Sequence, residues 1–165
     1  MPSATDLRAH MRYSAWATKR LVDAIAPLTE TELARDFQTA DKTVIATLAH
    51  VYAADRLWLA RIQGHRPTKF MDPDVDCRIE ALRDDWPLLL DKWDAVLGAQ
   101  SDESVDHIIS FVNLKGEALE TPIWQIVLHV VNHGTHHRGQ VSGFLRAMGH
   151  VPPVLDLSVY YREQK

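Results

Sequence analysis

Residues 129–149 read HVVNHGTHHRGQVSGFLRAMG, and this stretch decides the fold, because its apolar residues recur at the spacing of a long helix packed against other helices. With Val127 as zero and about 100° per residue, Val130, Val131, Gly134, Val141, Leu145 and Met148 all fall within about 60°. That arc is a core face. Thr121 and Pro122 form a cap and first-turn pair from which the helix is expected to start, and Gly149 should end it just after Met148.

On the same wheel His137 lies about 80° and His133 about 120° from the arc centre, so both sit along one edge of the core face. His129 and His136 lie about 160° and 180° away and should be exposed. An HxxxH pair on a helix brings two imidazoles within reach of one divalent ion. Alone, the pair is a weak motif that reads more readily as a partly exposed polar edge of the helix.

Working outward, the preceding segment Asp106–Val112 is rich in Ile, Val and Phe, and Asn113–Gly116 offers turn residues, which predicts a small β-hairpin before the last long helix. Three further long helical patterns lie upstream. The first runs from a cap at Ser3 or Thr5 to Ala26, before Pro27. The second runs from near Thr43 to Gly64, with a short turn at Glu30–Ala34 ahead of it. The third runs from about Asp76 to Leu97, with a bend or break near Trp86 because Pro87 falls inside it.

In the second of these helices Val44, Ile45, Leu48, Val51, Tyr52, Leu59 and Ile62 form one stripe, and Ala46, Ala53, Leu57 and Ala60 another, so it should be buried on two sides. It carries His50 among small residues, Ala46, Ala53 and Ala54, which leave room for a cavity. A lone histidine there reads as a hydrogen-bonded core residue. Beside an inward HxxxH pair, a buried His50 becomes the third ligand of a metal site. Asp55 interrupts the apolar stripe and is expected to pair with Arg138 as a structural ion pair. Gln140, on the face of His137, is placed to orient a metal-bound ligand by hydrogen bonding.

Three neutral imidazoles with open remaining positions suit zinc, nickel or ferrous iron better than magnesium or calcium. Open positions favour chemistry over a closed structural site. The five tryptophans, Trp16, Trp58, Trp86, Trp93 and Trp124, read as packing residues.

The 165 residues fit one domain, 1–165, an all-α helical bundle with the small hairpin. A net charge of -4 gives no reason to expect a nucleic-acid or anionic-lipid partner. No apolar run is long enough for a membrane helix, and residues 1–12 show no export signal. Cys77, the one cysteine, has no partner for an internal disulfide and is surrounded by Asp74, Asp76 and Glu80, which disfavour a thiolate. A soluble cytoplasmic protein is expected.

The segment 129–149, with its HxxxHRGQ pattern, resembles the signature of the DinB family of damage-inducible, YfiT-like metalloenzymes. TLAHVYAADRLWLARIQG (47–64) resembles that family's other signature segment, and YSAWATKRLVDAI (13–25) its first helix. The likeness extends over nearly the whole chain. It implies an up-down-down-up four-helix bundle, often a homodimer, with His50, His133 and His137 as the ligands of a divalent metal. It also implies a small-molecule substrate and favours a thiol-dependent S-transferase, possible in several thiol chemistries, over hydrolase-like chemistry. The competing expectation is a non-catalytic, stress-associated metal-binding scaffold.

Overall fold

Ser3 opens the first helix: its Oγ accepts from the Asp6 N–H, and the Asp6 carboxylate returns to the Ser3 N–H, so two otherwise orphaned donors are satisfied. In the computed structural model, which describes residues 1–113 and 115–164, this helix, α1, spans Ala4–Ile25. Leu7, Met11, Leu21 and Ile25 are fully buried on its inner face. Each such side chain contributes about 1.5–3 kcal/mol of burial.

A second capping box, Thr29 with Glu32, forms α2 at Glu30–Leu33. Thr43 then caps α3, Val44–Ile62, through its Oγ1 on the Ala46 N–H. Twelve residues of α3 are buried, on both flanks of the helix, as its two apolar stripes require.

The third helical region differs from expectation. Asp76 does not start a long helix; it ends the short α4, Pro73–Asp76, where its carboxylate takes two hydrogen bonds from Arg56 and one from the Asp72 N–H. The chain then passes through a π-helical turn at Ala81–Asp85 into α5, Trp86–Gly98. The Trp86 N–H reaches back to the Ala81 carbonyl, and Pro87 follows in the first turn of α5. Proline lacks an N–H and its ring crowds the carbonyl four residues back, so the wider turn absorbs a residue that a regular helix would not.

After a 3-10 turn at Ser104–Asp106, β1 (Ile108–Val112) pairs antiparallel with β2 (Ala118–Pro122), Phe111 opposite Leu119. The turn expected at Asn113–Gly116 includes Leu114, which lies outside the described residues. Gly116 has a φ of 85°, the left-handed conformation that glycine accepts without strain. Thr121 and Pro122 end β2 and do not form the first turn of the last long helix. That helix, α6, runs Ile123–Ala147 with Pro122 in the flanking position, because the ladder with Ile108 holds Pro122 extended. Gly149, at φ 87°, follows its end as expected. A final helix, α7, spans Leu157–Glu163.

The protein is mostly helical with one two-stranded hairpin. Helix α6 packs against α3 and α1, and α5 packs against α1 and α3. Trp86 and Trp93 are wholly enclosed in the core, while Trp16, Trp58 and Trp124 pack at its margin. Asp55 and Arg138 are both buried, without the direct ion pair expected of them. Asp55 accepts from the Trp86 indole N–H at 2.8 Å, and Arg138 donates to the hydroxyls of Ser14, Thr18 and Thr135. Hydroxyls from α1 and one turn back on α6 are nearer to the guanidinium than the carboxylate on α3. Among the described residues no helix is long and apolar enough to cross a membrane.

Candidate metal centre

The contact between α3 and α6 brings three imidazoles together, their planes tilted to one another by 43–68°. His137 follows His133 by four positions, about one helical turn, and the two rings lie edge to face with centroids 4.5 Å apart. His50 comes from α3 and lies 4.9 Å from the His133 ring and 4.8 Å from the His137 ring. One ring nitrogen from each of the three falls within 4.8 Å of the others, so the three histidines could hold a metal ion. His129 and His136 are exposed, as the helical wheel requires, although the His129 ring also packs 5.4 Å from Trp58 of α3 and 5.8 Å from the His133 ring.

Burial grades across the cluster. His137 is buried, His133 half-buried, and the His50 side chain retains 27% of its exposure. His50 is therefore not the enclosed core residue expected, and the side of the cluster it forms is open to solvent. The ring of Phe70, from the loop after α3, packs 5.1 Å from His50 and takes part of the space that the neighbouring alanines leave.

Burial disfavours charge on the two imidazoles of α6. Burial, and then the proximity of His137 and His50, hold the His133 imidazole down to about 3, so it carries a free lone pair at neutral pH. Burial also lowers His137. The Nε2 atoms of His50 and His133 are 3.0 Å apart. The Nδ1 of His133 is enclosed and has no hydrogen-bond partner among the described residues.

Gln140, on the same face, lies with its Oε1 2.8 Å from His137 Nδ1. An amide oxygen only accepts, so Nδ1 carries the proton and the Nε2 lone pair is left available. Sequence reasoning missed Asp41, whose carboxylate oxygens stand 3.6 Å from His50 Nδ1 and 3.8 Å from His137 Nδ1. It lies in an aperiodic loop, where an aspartate next to a helix cap carries no signal of a distant partner. Cys77 is half-buried, and burial together with Asp76 and Asp41 raises its thiol, in line with an unreactive cysteine.

The DinB family model matches residues 1–165, a span that includes every element of this cluster. The chain belongs to the DinB family. It is similar to Protein DinB of Bacillus subtilis (strain 168), 23% identical over 155 residues that cover 90% of this chain and 89% of the relative. Its fold matches the crystal structure of a DinB-like protein from Bacillus cereus ATCC 10987 with a TM-score of 0.72 at 18% identity, over 92% of this chain and 97% of that one. Within this DinB-family fold, the donor set fits a borderline transition ion: three imidazole nitrogens, one already fixed in its tautomer, and no carboxylate among the three converging groups.

Proposed function

We propose that this DinB-family protein is a metal-dependent enzyme whose divalent ion, zinc, nickel or ferrous iron, is held by His50, His133 and His137. The observation that carries the reading is the convergence of three ring nitrogens from two helices within 4.8 Å, on a side where His50 remains partly exposed. Three protein ligands leave a coordination position for a water or a substrate atom. A bound divalent ion would supply Lewis acidity, lowering the pKa of a coordinated water or thiol.

The chain's own groups do the positioning. Gln140 holds the His137 proton at Nδ1 and presents Nε2; burial keeps His133 neutral; Phe70 flanks His50 and limits water on that side. The substrate class is a small molecule, with a low-molecular-weight thiol in an S-transfer reaction favoured over hydrolysis by the family resemblance. The frame in this reading is a single-domain, up-down-down-up four-helix bundle, in which α1, α3, the π turn with α5, and α6 are the four members, acting as a cytoplasmic homodimer. Metal-stripped protein reloaded with zinc, nickel or iron should gain turnover in a panel of thiol-transfer and hydrolytic reactions. Absence of turnover with every ion would remove the enzymatic part of the proposal.

One observation favours a second reading, a non-catalytic, stress-associated scaffold: the three histidines join α3 to α6, so an ion there would tie two core helices together. In that case His133→Ala would lower the melting temperature of the metal-loaded protein strongly, and no ion would confer activity.

A further inference from the structure

Each imidazole that gives Nε2 to a metal has an Nδ1 at its back, and what that atom meets decides how firmly the ring is held. Gln140 serves His137 in this way. His50 turns its Nε2 toward His133, so its Nδ1 faces away from the cluster, and there it meets Asp41 Oδ1 at 3.6 Å. The second oxygen, Oδ2, lies 3.8 Å from His137 Nδ1. One carboxylate thus spans the rings contributed by two different helices.

The loop that carries Asp41 is built to hold it there. The Phe37 N–H donates to the Lys42 carbonyl at 2.8 Å, and the Lys42 N–H donates to the Thr39 carbonyl, closing a tight turn around residues 37–42. Gln38 and Lys42 both take positive φ, 58° and 62°, a conformation costly for side chains other than glycine. The Phe37 ring stacks on Phe144 of α6, with centroids 4.2 Å apart and planes within 6°, which fastens the turn to the helix that carries His133 and His137. The Thr43 cap then fixes the start of α3, seven residues before His50.

We propose that Asp41 is a positioning residue of the metal centre, fixing His50 through its Nδ1 proton and bracing His137, while supplying one negative charge beside the cation. This inference rests on the metal-binding reading of the three histidines. It goes beyond that reading by assigning the 37–43 turn a role in metal affinity. Asp41 does not belong to the group whose ligand atoms converge, so it acts through the rings and not as a fourth ligand. A carboxylate behind an imidazole orients the ring and increases its basicity as a donor.

The test is a competition titration of zinc into metal-free wild type, Asp41→Asn and Asp41→Ala, with cobalt absorption spectra and the melting temperature of each metal-free protein recorded alongside. The expected result is a fall in zinc affinity of about 10–100-fold for Asp41→Ala, with a smaller fall for Asp41→Asn, which keeps an oxygen acceptor. The cobalt ligand-field bands should shift in both variants, while the melting temperature of the metal-free Asn variant stays that of the wild type. Wild-type affinity and unchanged cobalt bands in Asp41→Ala would overturn the role of Asp41 while leaving the three-histidine site intact. A wild type that takes up no zinc or cobalt would overturn the site itself and this inference with it.

Discussion

The Nε2 atoms of His50 and His133 face each other across the α3–α6 contact at 3.0 Å. Only one proton can occupy the line between two such nitrogens, so at most one hydrogen bond forms there, and a third imidazole, His137, adds a further donor beside them. An ion placed among the rings would be held by His50, His133 and His137 together. The same ion would offset the cost of collecting three partly desolvated imidazoles in one place.

Gln140 tests how far that site depends on tautomer control. Gln140→Leu removes the acceptor at His137 Nδ1 and should weaken zinc binding by about 10–100-fold, while metal-free stability changes little because Gln140 is half-buried. Competition titration against a chelator of known affinity, with thermal melts of the metal-free proteins, checks both parts.

Glycines on α6 divide by what their missing side chains would meet. A Cβ at Gly134 would stand 2.7 Å from Arg138 Nη1, and that nitrogen cannot give way freely, since it also donates to Ser14 and Thr18 in the core. Gly134→Ala should destabilise the protein by about 1–3 kcal/mol. Nothing lies within 4 Å of the corresponding position at Gly143, so Gly143→Ala should stabilise by about 0.5–1 kcal/mol through helix propensity alone. Urea unfolding of the two variants beside the wild type should show shifts of opposite sign.

Asp55 sets a pH signature. Burial pushes its carboxyl from 3.8 up to about 7, while the hydrogen bond from Trp86 and the charge of Arg138 pull the other way. Between about pH 4 and 7 the folded protein therefore holds a proton that the unfolded chain releases. The resulting contribution to stability is present at low pH and is lost as pH rises through 7, at no more than about 1.4 kcal/mol per unit. Asp55→Asn keeps an acceptor for the indole N–H and cannot titrate. The stability of the wild type relative to this variant should thus fall between pH 5 and pH 8; a constant difference in urea unfolding across that range would contradict it.

The parts of the site on α6 are legible in the sequence because helical period fixes which side chains share an edge: His133 and His137 lie inward and His136 outward, while the His129 ring, though exposed, also reaches Trp58 and His133. His50 is legible as a partner, but its partial exposure is not, since helical period does not show which side of the α3–α6 contact the loops leave uncovered. Asp41 is invisible in the sequence because the site residues it approaches are 9 and 96 positions away along the chain, and tertiary contacts such as the Phe37–Phe144 stack bring its turn to them. The start of α6 was misplaced because Thr121 and Pro122 satisfy both a helix start and a strand end, and pairing across the hairpin decides between them. The Asp55–Arg138 pair failed because helical phase places residues on faces without saying which polar partner is nearest; the hydroxyls of α1 were nearer.

Metal content of untagged protein, measured by elemental mass spectrometry on the wild type beside the His50→Ala, His133→Ala double variant, tests the three-histidine centre most directly. About one transition ion per chain in the wild type and none in the variant is the predicted result. Equal metal in the two proteins, or none in either, would contradict it and return the histidines to the role of polar packing between α3 and α6.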